Sequence, residues 1–254
     1  MPLSLLLFIA HIASAAERNA FDEAARTEML GRFAAEERAL DEQIAKAPEN
    51  VALRSSRGDA RLFRGRFPEA VSDYEKMITL EPAQDAPHWR LGIAYYFAGD
   101  FRKSARQFEK YHTYDARDRE NGIWKFLAQA RSEGLEKARR EMLVYERFDR
   151  EPFPALYEMF AGKKSIAELF AEIEKKGLVS DARVSFFASY YAGLQAHLTG
   201  EASAAREHLK RAVDGAWEAH ASRELGYMWQ VARLQRELLD KSGVAPAAPD
   251  QPAR

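Results

Sequence analysis

Glycines and aromatic residues recur in this chain at a fixed interval of 34, and no other feature limits its fold so tightly. Gly58 and Gly92 are 34 apart, as are Gly65 and Gly99, Phe67 and Phe101, and Tyr74 and Phe108. One interval earlier, Gly31-Arg32-Phe33 precedes Gly65-Arg66-Phe67, Leu40 precedes Tyr74, and Ile44 precedes Ile78. Pro48 and Pro82 close successive units. Self-similarity at such a period marks a chain built from stacked supersecondary units.

Each column has a chemical reason within a helix-turn-helix unit. Gly58 and Gly92 fall mid-helix, where glycine costs about 1 kcal/mol against alanine. A side chain there would hold off the second helix, so close packing offsets the cost. Gly65 and Gly99 end the first helix in a left-handed conformation. Pro68 falls in the first turn of the second helix, where its missing N–H does no harm, and Asp100 is the matching cap one unit later. Ala70 and Ser104 are small where helices touch, Tyr74 and Phe108 fill the space between, and Pro82 stops the second helix.

The spacing returns near the end of the chain. Gly193 and Gly200 keep the seven-residue step of 58/65 and 92/99, followed by Ala205, Leu209 and Ala212. The best units are therefore 51–84, 85–118 and 186–219, with degenerate units at 17–50 and 119–150 and linking helices over 151–180. Within this frame a helix ends near Phe148, ahead of Pro152 and Pro154. A short helix covers about 155–160 and stops at Gly162. Ser165 and Glu168 form a capping box that opens a helix to about Lys176. A terminal helix over residues 222–239 covers the last apolar face, as stacked repeats require, and residues 241–254 are expected to be a disordered tail. The expected class is all-α: a right-handed α-solenoid of helix-turn-helix pairs over 17–240, with a C-terminal capping helix.

Composition narrows function mainly by exclusion. The 38 basic and 39 acidic side chains nearly cancel, which argues against nucleic acid as the main partner, because phosphate binding needs a basic stripe. Cysteine is absent, removing disulfides, thiolate metal sites, thiol nucleophiles and a lipid-bearing cysteine. The six histidines form no ligand-spaced pair; His208 and His220 are twelve apart. No phosphate-cradling glycine loop and no nucleophile-elbow serine appears. Hence no catalytic residue, metal site or cofactor is expected. The apolar run Leu3 to Ala13 is too short to span a bilayer and ends in Ala13-Ser14-Ala15, a small-x-small cleavage pattern. Residues 1–16 therefore read as a signal peptide, and the protein as exported, in the periplasm.

The columns resemble the tetratricopeptide repeat, best in Leu91-Gly92, Tyr95, Gly99, Phe101 and Phe108. The first unit departs at Arg57 and Arg61, where that family prefers Leu and Tyr. The resemblance implies that the first helix of each pair lines a concave side through its second, fifth, ninth, twelfth and thirteenth positions. Counted from Asp85, these include Trp89, Ile93, Tyr96 and Phe97; counted from Phe186, they are Phe187, Tyr190, Leu194, His197 and Leu198, and Trp124 takes the same place in the degenerate unit. Such a lining suits an amphipathic helix or an apolar peptide. The alternative is that the stripe is core, covered by the chain's own helices. The family's carboxylate clamp needs Lys and Asn where this chain has Ser55 and Asp59, so chaperone tails are disfavoured.

The second half is similar to a narrower branch. It carries Gly122-Ile123-Trp124, then Glu151-Pro152-Phe153-Pro154, then Phe186-Phe187 with Tyr191-Ala192-Gly193. It resembles the bacterial periplasmic tetratricopeptide proteins of the new-lipoprotein-I type. That resemblance implies a dimeric adaptor of the cell envelope that presents cell-wall hydrolases to a processing protease. The lipid anchor does not carry over, because the cysteine is missing. The expected function is a non-enzymatic adaptor or scaffold for other proteins. A self-assembling homodimer is the alternative, and an enzyme without a local signature a remote one.

Overall fold

A computed structural model of the chain describes residues 21–215 and 223–242. The expected signal segment, His220 and the expected tail past Ser242 lie outside the described residues. Among the described residues there are twelve α-helices, one 3-10 turn and no strand, and adjacent helices pack in pairs as in a helical solenoid. The described residues divide into two compact units: one is Met29–Gly177, and the other joins residues 21–28 with 178–215 and 223–242.

In the first of these units α2 (Val51–Phe63) pairs with α3 (Phe67–Leu80), and α4 (Trp89–Phe97) with α5 (Phe101–Tyr114). The third pair is uneven: α6 (Arg119–Glu133) is followed by only six helical residues in α7 (Leu135–Arg140). Then come α8 (Phe153–Phe160), packed on α6 with Phe126 and Phe160 rings 5.4 Å apart, and α9 (Ile166–Lys175). Both bonds of the Ser165/Glu168 capping box are present. In the other unit α10 (Ala182–Leu198) pairs with α11 (Ala202–Gly215), and α12 (Arg223–Ser242) packs on α11, its Trp229 Nε1 donating to Val213 O at 2.9 Å.

The recurrent glycines act as notches. A Cβ at Gly92 would lie 2.7 Å from the Phe108 ring, one at Gly58 2.5 Å from Tyr74, and one at Gly193 2.8 Å from Leu209 Cγ. Each partner sits sixteen residues on and is fully buried, so a side chain in the first helix would push the pair apart. The small column is buried too: Ala70, Ser104 and Ala205 are each 0% exposed, and Ser104 Oγ donates to the carbonyl of Gly92 at 2.8 Å. Leu91 and Tyr95 complete the core face of α4. The turn glycines Gly65, Gly99 and Gly200 have φ of 78°, 83° and 83°, a region side chains rarely adopt. Pro82 opens the 3-10 turn just after α3 ends.

Three elements differ from the sequence reading. Gly31, aligned with the turn glycines, lies inside the continuous helix α1 (Glu23–Lys46). Its neighbours include neither a capping residue nor a proline to stop the helix, and a Cβ there would meet nothing within 4 Å. The unit 17–50 therefore keeps only its second-helix columns, Leu40 and Ile44, both buried. The helix expected to reach Phe148 stops at Arg140, and residues 142–150 are not helical. At the other end, α12 runs on through Lys241 and Ser242, beyond the expected start of the tail.

The off-pattern arginines of the first unit belong to a charge network. Asp73 of α3, 2% exposed, accepts from Arg57 Nη2 at 2.5 Å and Arg61 Nη1 at 2.7 Å. Glu37 of α1, 3% exposed, accepts from Arg61 Nε at 2.9 Å and also pairs with Arg64 and Arg66. Buried carboxylates are tolerable only when paired in this way.

Two outcomes follow from these contacts. Gly92→Ala should destabilise the protein by about 1–3 kcal/mol through overpacking, while Gly31→Ala, mid-helix with open space around it, should stabilise it by about 0.5–1 kcal/mol. Urea denaturation checks both, and equal stability of the two variants would refute the notch. Asp73→Ala alone should cost about 3 kcal/mol, because it leaves Arg57 with only Asp41 and Arg61 with Glu37 and Asp41. The triple change Arg57→Leu, Arg61→Tyr and Asp73→Ala should cost much less in the same measurement.

A candidate partner-binding cleft

The first helices of consecutive pairs, α2 and α4, leave a cleft of about 250 Å³ at their N-terminal halves. Ser55, Met77, Gln84, Pro87, His88, Trp89 and Arg90 line it. His88 shapes one end by capping α4: its Nδ1 accepts the Leu91 N–H at 3.2 Å, and its ring lies 4.9 Å from that of Tyr74. Nδ1 accepting a proton means that the neutral ring carries its hydrogen on Nε2. That buried nitrogen has no hydrogen-bond partner among the described residues. Burial, with the positive charge of Arg90, pushes the His88 pKa down to about 4.

Asp59 follows Ser55 by one helical turn, on the same face of α2. Its carboxylate accepts from Tyr74 OH at 2.6 Å and from Arg90 Nη1 at 2.8 Å. Burial pushes its pKa up to about 6, against the opposing pull of Arg90 and of the Tyr74 hydroxyl. Arg90 Nη1 also lies 3.4 Å from Ser55 Oγ, and the guanidinium carbon sits 5.4 Å from the centre of the Trp89 ring. The cleft thus presents a fixed guanidinium, a hydroxyl and half of an indole. These groups can recognise a partner. No nucleophile is held beside a base in it, and among the described residues no group of three or more His, Asp or Glu gathers as a metal site would need.

The expected aromatic lining divides sharply. Trp89 and Phe97 are half-buried, Trp89 in the cleft and Phe97 stacked on Phe67 at 5.2 Å. Ile93 (1% exposed), Tyr96 (8%), Trp124 (1%), Phe187 (4%), Tyr190 (0%) and Leu194 (3%) are core. Tyr96 packs edge-on to Trp124 at 5.3 Å, and Trp124 stacks on Phe108 at 6.1 Å. These six positions are core rather than an open groove, and between Tyr96 of α4 and Trp124 of α6 the rings of successive first helices touch each other. His197 and Leu198 are half-buried in the other unit. Arg90, His88 and Gln84 were not foreseen as site residues. Arg90 is adjacent to the Leu-Gly signature, but nothing in the spacing distinguishes it from a solvated charge.

No protein-family model matches the chain. It is similar to the Hsp70-Hsp90 organizing protein of Triticum aestivum, 35% identical over 80 residues. That stretch is 32% of this chain and only 14% of the relative's length. The similarity to this protein, which contains tetratricopeptide repeats, and the all-helical architecture fit a tetratricopeptide protein.

The two titrating groups of the cleft should be separable by pH. Between about 4 and 6 the native state keeps the Asp59 proton that the unfolded chain releases, so this contribution to stability falls as pH rises. His88 acts oppositely: below its ordinary 6.5 the unfolded chain takes up a proton that the native ring refuses until about 4, so this contribution rises with pH. Measured by urea unfolding from pH 4 to 6.5, Asp59→Asn should therefore steepen the rise of stability with pH relative to wild type. His88→Gln should flatten or invert it. Each change amounts to at most about 3 kcal/mol across the window. Three parallel curves would contradict both assignments.

Proposed function

We propose that this protein is a non-enzymatic adaptor that binds a peptide or helix of a partner protein at the cleft between α2 and α4. The observation that carries the reading is Trp89 with Arg90: a half-open indole beside a guanidinium pinned by Asp59, in the first turn of a repeat's first helix. Tryptophan and arginine are the side chains that most often dominate binding energy. The similarity to a protein named for organising Hsp70 and Hsp90 supports protein binding in general. A peptide carboxy terminus is a poor fit here, because the inner positions of α2 hold Ser55 and the acidic Asp59 rather than a lysine and an amide.

We further place this work in the bacterial cell envelope, on the resemblance to periplasmic tetratricopeptide adaptors and on the cleavage pattern at Ala13-Ser14-Ala15. Cell fractionation, with amino-terminal sequencing of the product, tests the location; a chain that stays in the cytoplasm with residues 1–16 attached would end it.

For the cleft, a photo-crosslinking residue at Ser55 should capture partners from a matched extract. The double variant Trp89→Ala, Arg90→Gln should lose them by more than about tenfold, the scale of a hot-spot pair, while its far-ultraviolet circular dichroism at the crosslinking temperature stays that of the folded protein. An identical set of crosslinked partners in both would count against this cleft.

A further inference from the structure

The third pair has a strap where the others have a second helix. Past α7 the chain runs without helix, and the side chain that fills the Gly122 notch is Tyr145 of this strap rather than a residue sixteen positions on. Four alternate carbonyls of the strap are bound by side chains of the helices. Lys125 Nζ donates to Glu141 O at 2.9 Å and Tyr157 OH to Leu143 O at 2.8 Å; Arg119 donates to Tyr145 O at 3.3 Å and to Arg147 O at 2.7 Å. An extended chain directs the polar groups of successive residues to opposite edges. A period of two in the bound carbonyls therefore turns the polar groups of Val144 and Glu146 outward. Among the described residues, no hydrogen bond reaches the carbonyls of Met142, Val144 or Glu146, and none is made by the amides of Val144 or Glu146.

Over residues 143–146 the side chains keep the same period. Leu143 and Tyr145 are half-buried, while Val144 (78% exposed) and Glu146 face outward. Tyr114 (65%) shares a cleft with Val144, and Phe148 (67%) is exposed further along the strap. Beside it lies a cleft of about 750 Å³, bounded by Tyr114 to Arg117 on one side and by Val144, Glu146 and Arg147 on the other. Glu146 and Arg147 have no ion-pair partner among the described residues.

We propose that residues 142–146 are an edge for strand addition, taken by an extended peptide segment of a partner protein. That segment is apolar at alternate positions and carries a basic residue opposite Glu146 and an acidic one near Arg147. The backbone specifies the occupant. A helix satisfies its own N–H and C=O groups, so only an extended chain can answer an edge of unmatched donors and acceptors. Val144 and Tyr114 supply the contact for apolar side chains, and opposite charges across a strand pair add to it. This surface is separate from the Trp89 cleft and does not depend on the function proposed for it.

The probe is a capped heptapeptide, acetyl-Thr-Val-Thr-Val-Thr-Lys-Glu-amide, its lysine and glutamate adjacent as Glu146 and Arg147 are, added to the isotope-labelled full chain and followed by amide chemical shifts. Shifts are expected at residues 142–148 and at Tyr114. N-methylation along one edge of the peptide should weaken binding at least about tenfold and along the other edge hardly at all, since several hydrogen bonds are lost on one side only. Val144→Pro deletes an outward amide while leaving all four scaffold contacts in place, and should weaken the probe by a similar factor. Should that variant melt early, the methylation pair on the wild-type chain decides alone. Trp89→Ala should leave the affinity unchanged, which separates this surface from the cleft. The proposal falls if no shift appears up to the probe's solubility limit, if the two methylation patterns act alike, or if the shifts gather around Trp89. It also falls if sedimentation shows the chain pairing with itself through a contact that Val144→Pro abolishes.

Discussion

A helix can take a ring from its neighbour at contact distance only where it carries no side chain of its own, and this constraint organises the molecule. Gly58 faces Tyr74, Gly92 faces Phe108, and Gly193 faces Leu209. In each case the filler is fully buried. The distance between two paired helices is thus fixed by one residue in each. The positive-φ glycine seven positions after the notch fixes the angle at which the chain returns. Helix propensity opposes every one of these notches, so their repetition is affordable only through packing. That is why a pattern weak in any single residue defines a whole architecture.

Where the pattern is altered, the chain compensates with another interaction of comparable strength. The first pair carries arginine at 57 and 61, and two nearly fully buried carboxylates, Asp73 and Glu37, answer them from α3 and α1. Buried pairs of this kind seldom add stability over a well-packed apolar core, but breaking one is costly. Their effect is to specify which helix sits against which: α1 is placed against α2 and α3 by charge as well as by the Phe33–Phe63 contact at 5.3 Å. The third pair compensates differently. Its second helix is cut short, and an extended strap carries Tyr145 into the Gly122 notch.

Most of the helical frame was legible because period and punctuation agree: notch glycines, turn glycines, Pro68, Asp100 and the Ser165 box all act through local geometry. What sequence could not supply was depth. Trp89 and Tyr96 occupy equivalent inner positions and look alike in the pattern, yet one is half-open and the other packed between Phe97, Phe101 and Trp124. Exposure of a ring depends on the next first helix over, which for Tyr96 brings in Trp124 from the following unit. Gly31 misled for the opposite reason. A glycine can close a helix only when the following residues stop it, and the stretch after Gly31 keeps good helix formers through Lys46. The strap was invisible because its backbone is held by Lys125, Tyr157 and Arg119, side chains with no shared spacing.

The burial of the inner rings also locates where recognition can occur. A repeat that obeys its pattern consumes its aromatic residues in its own core: Ile93, Tyr96 and Trp124 are spent on neighbouring helices and have nothing left to offer a partner. Surface that is shaped but not consumed lies where the pattern is broken. The Trp89 cleft opens beside a first unit that has Ser55 and Asp59 on its inner face. The strap edge opens where a second helix is missing, and there three large apolar side chains stay in solvent. Fidelity to the repeat builds the stacked helical frame of this chain, and departure from it leaves the two surfaces at which we propose that partners bind.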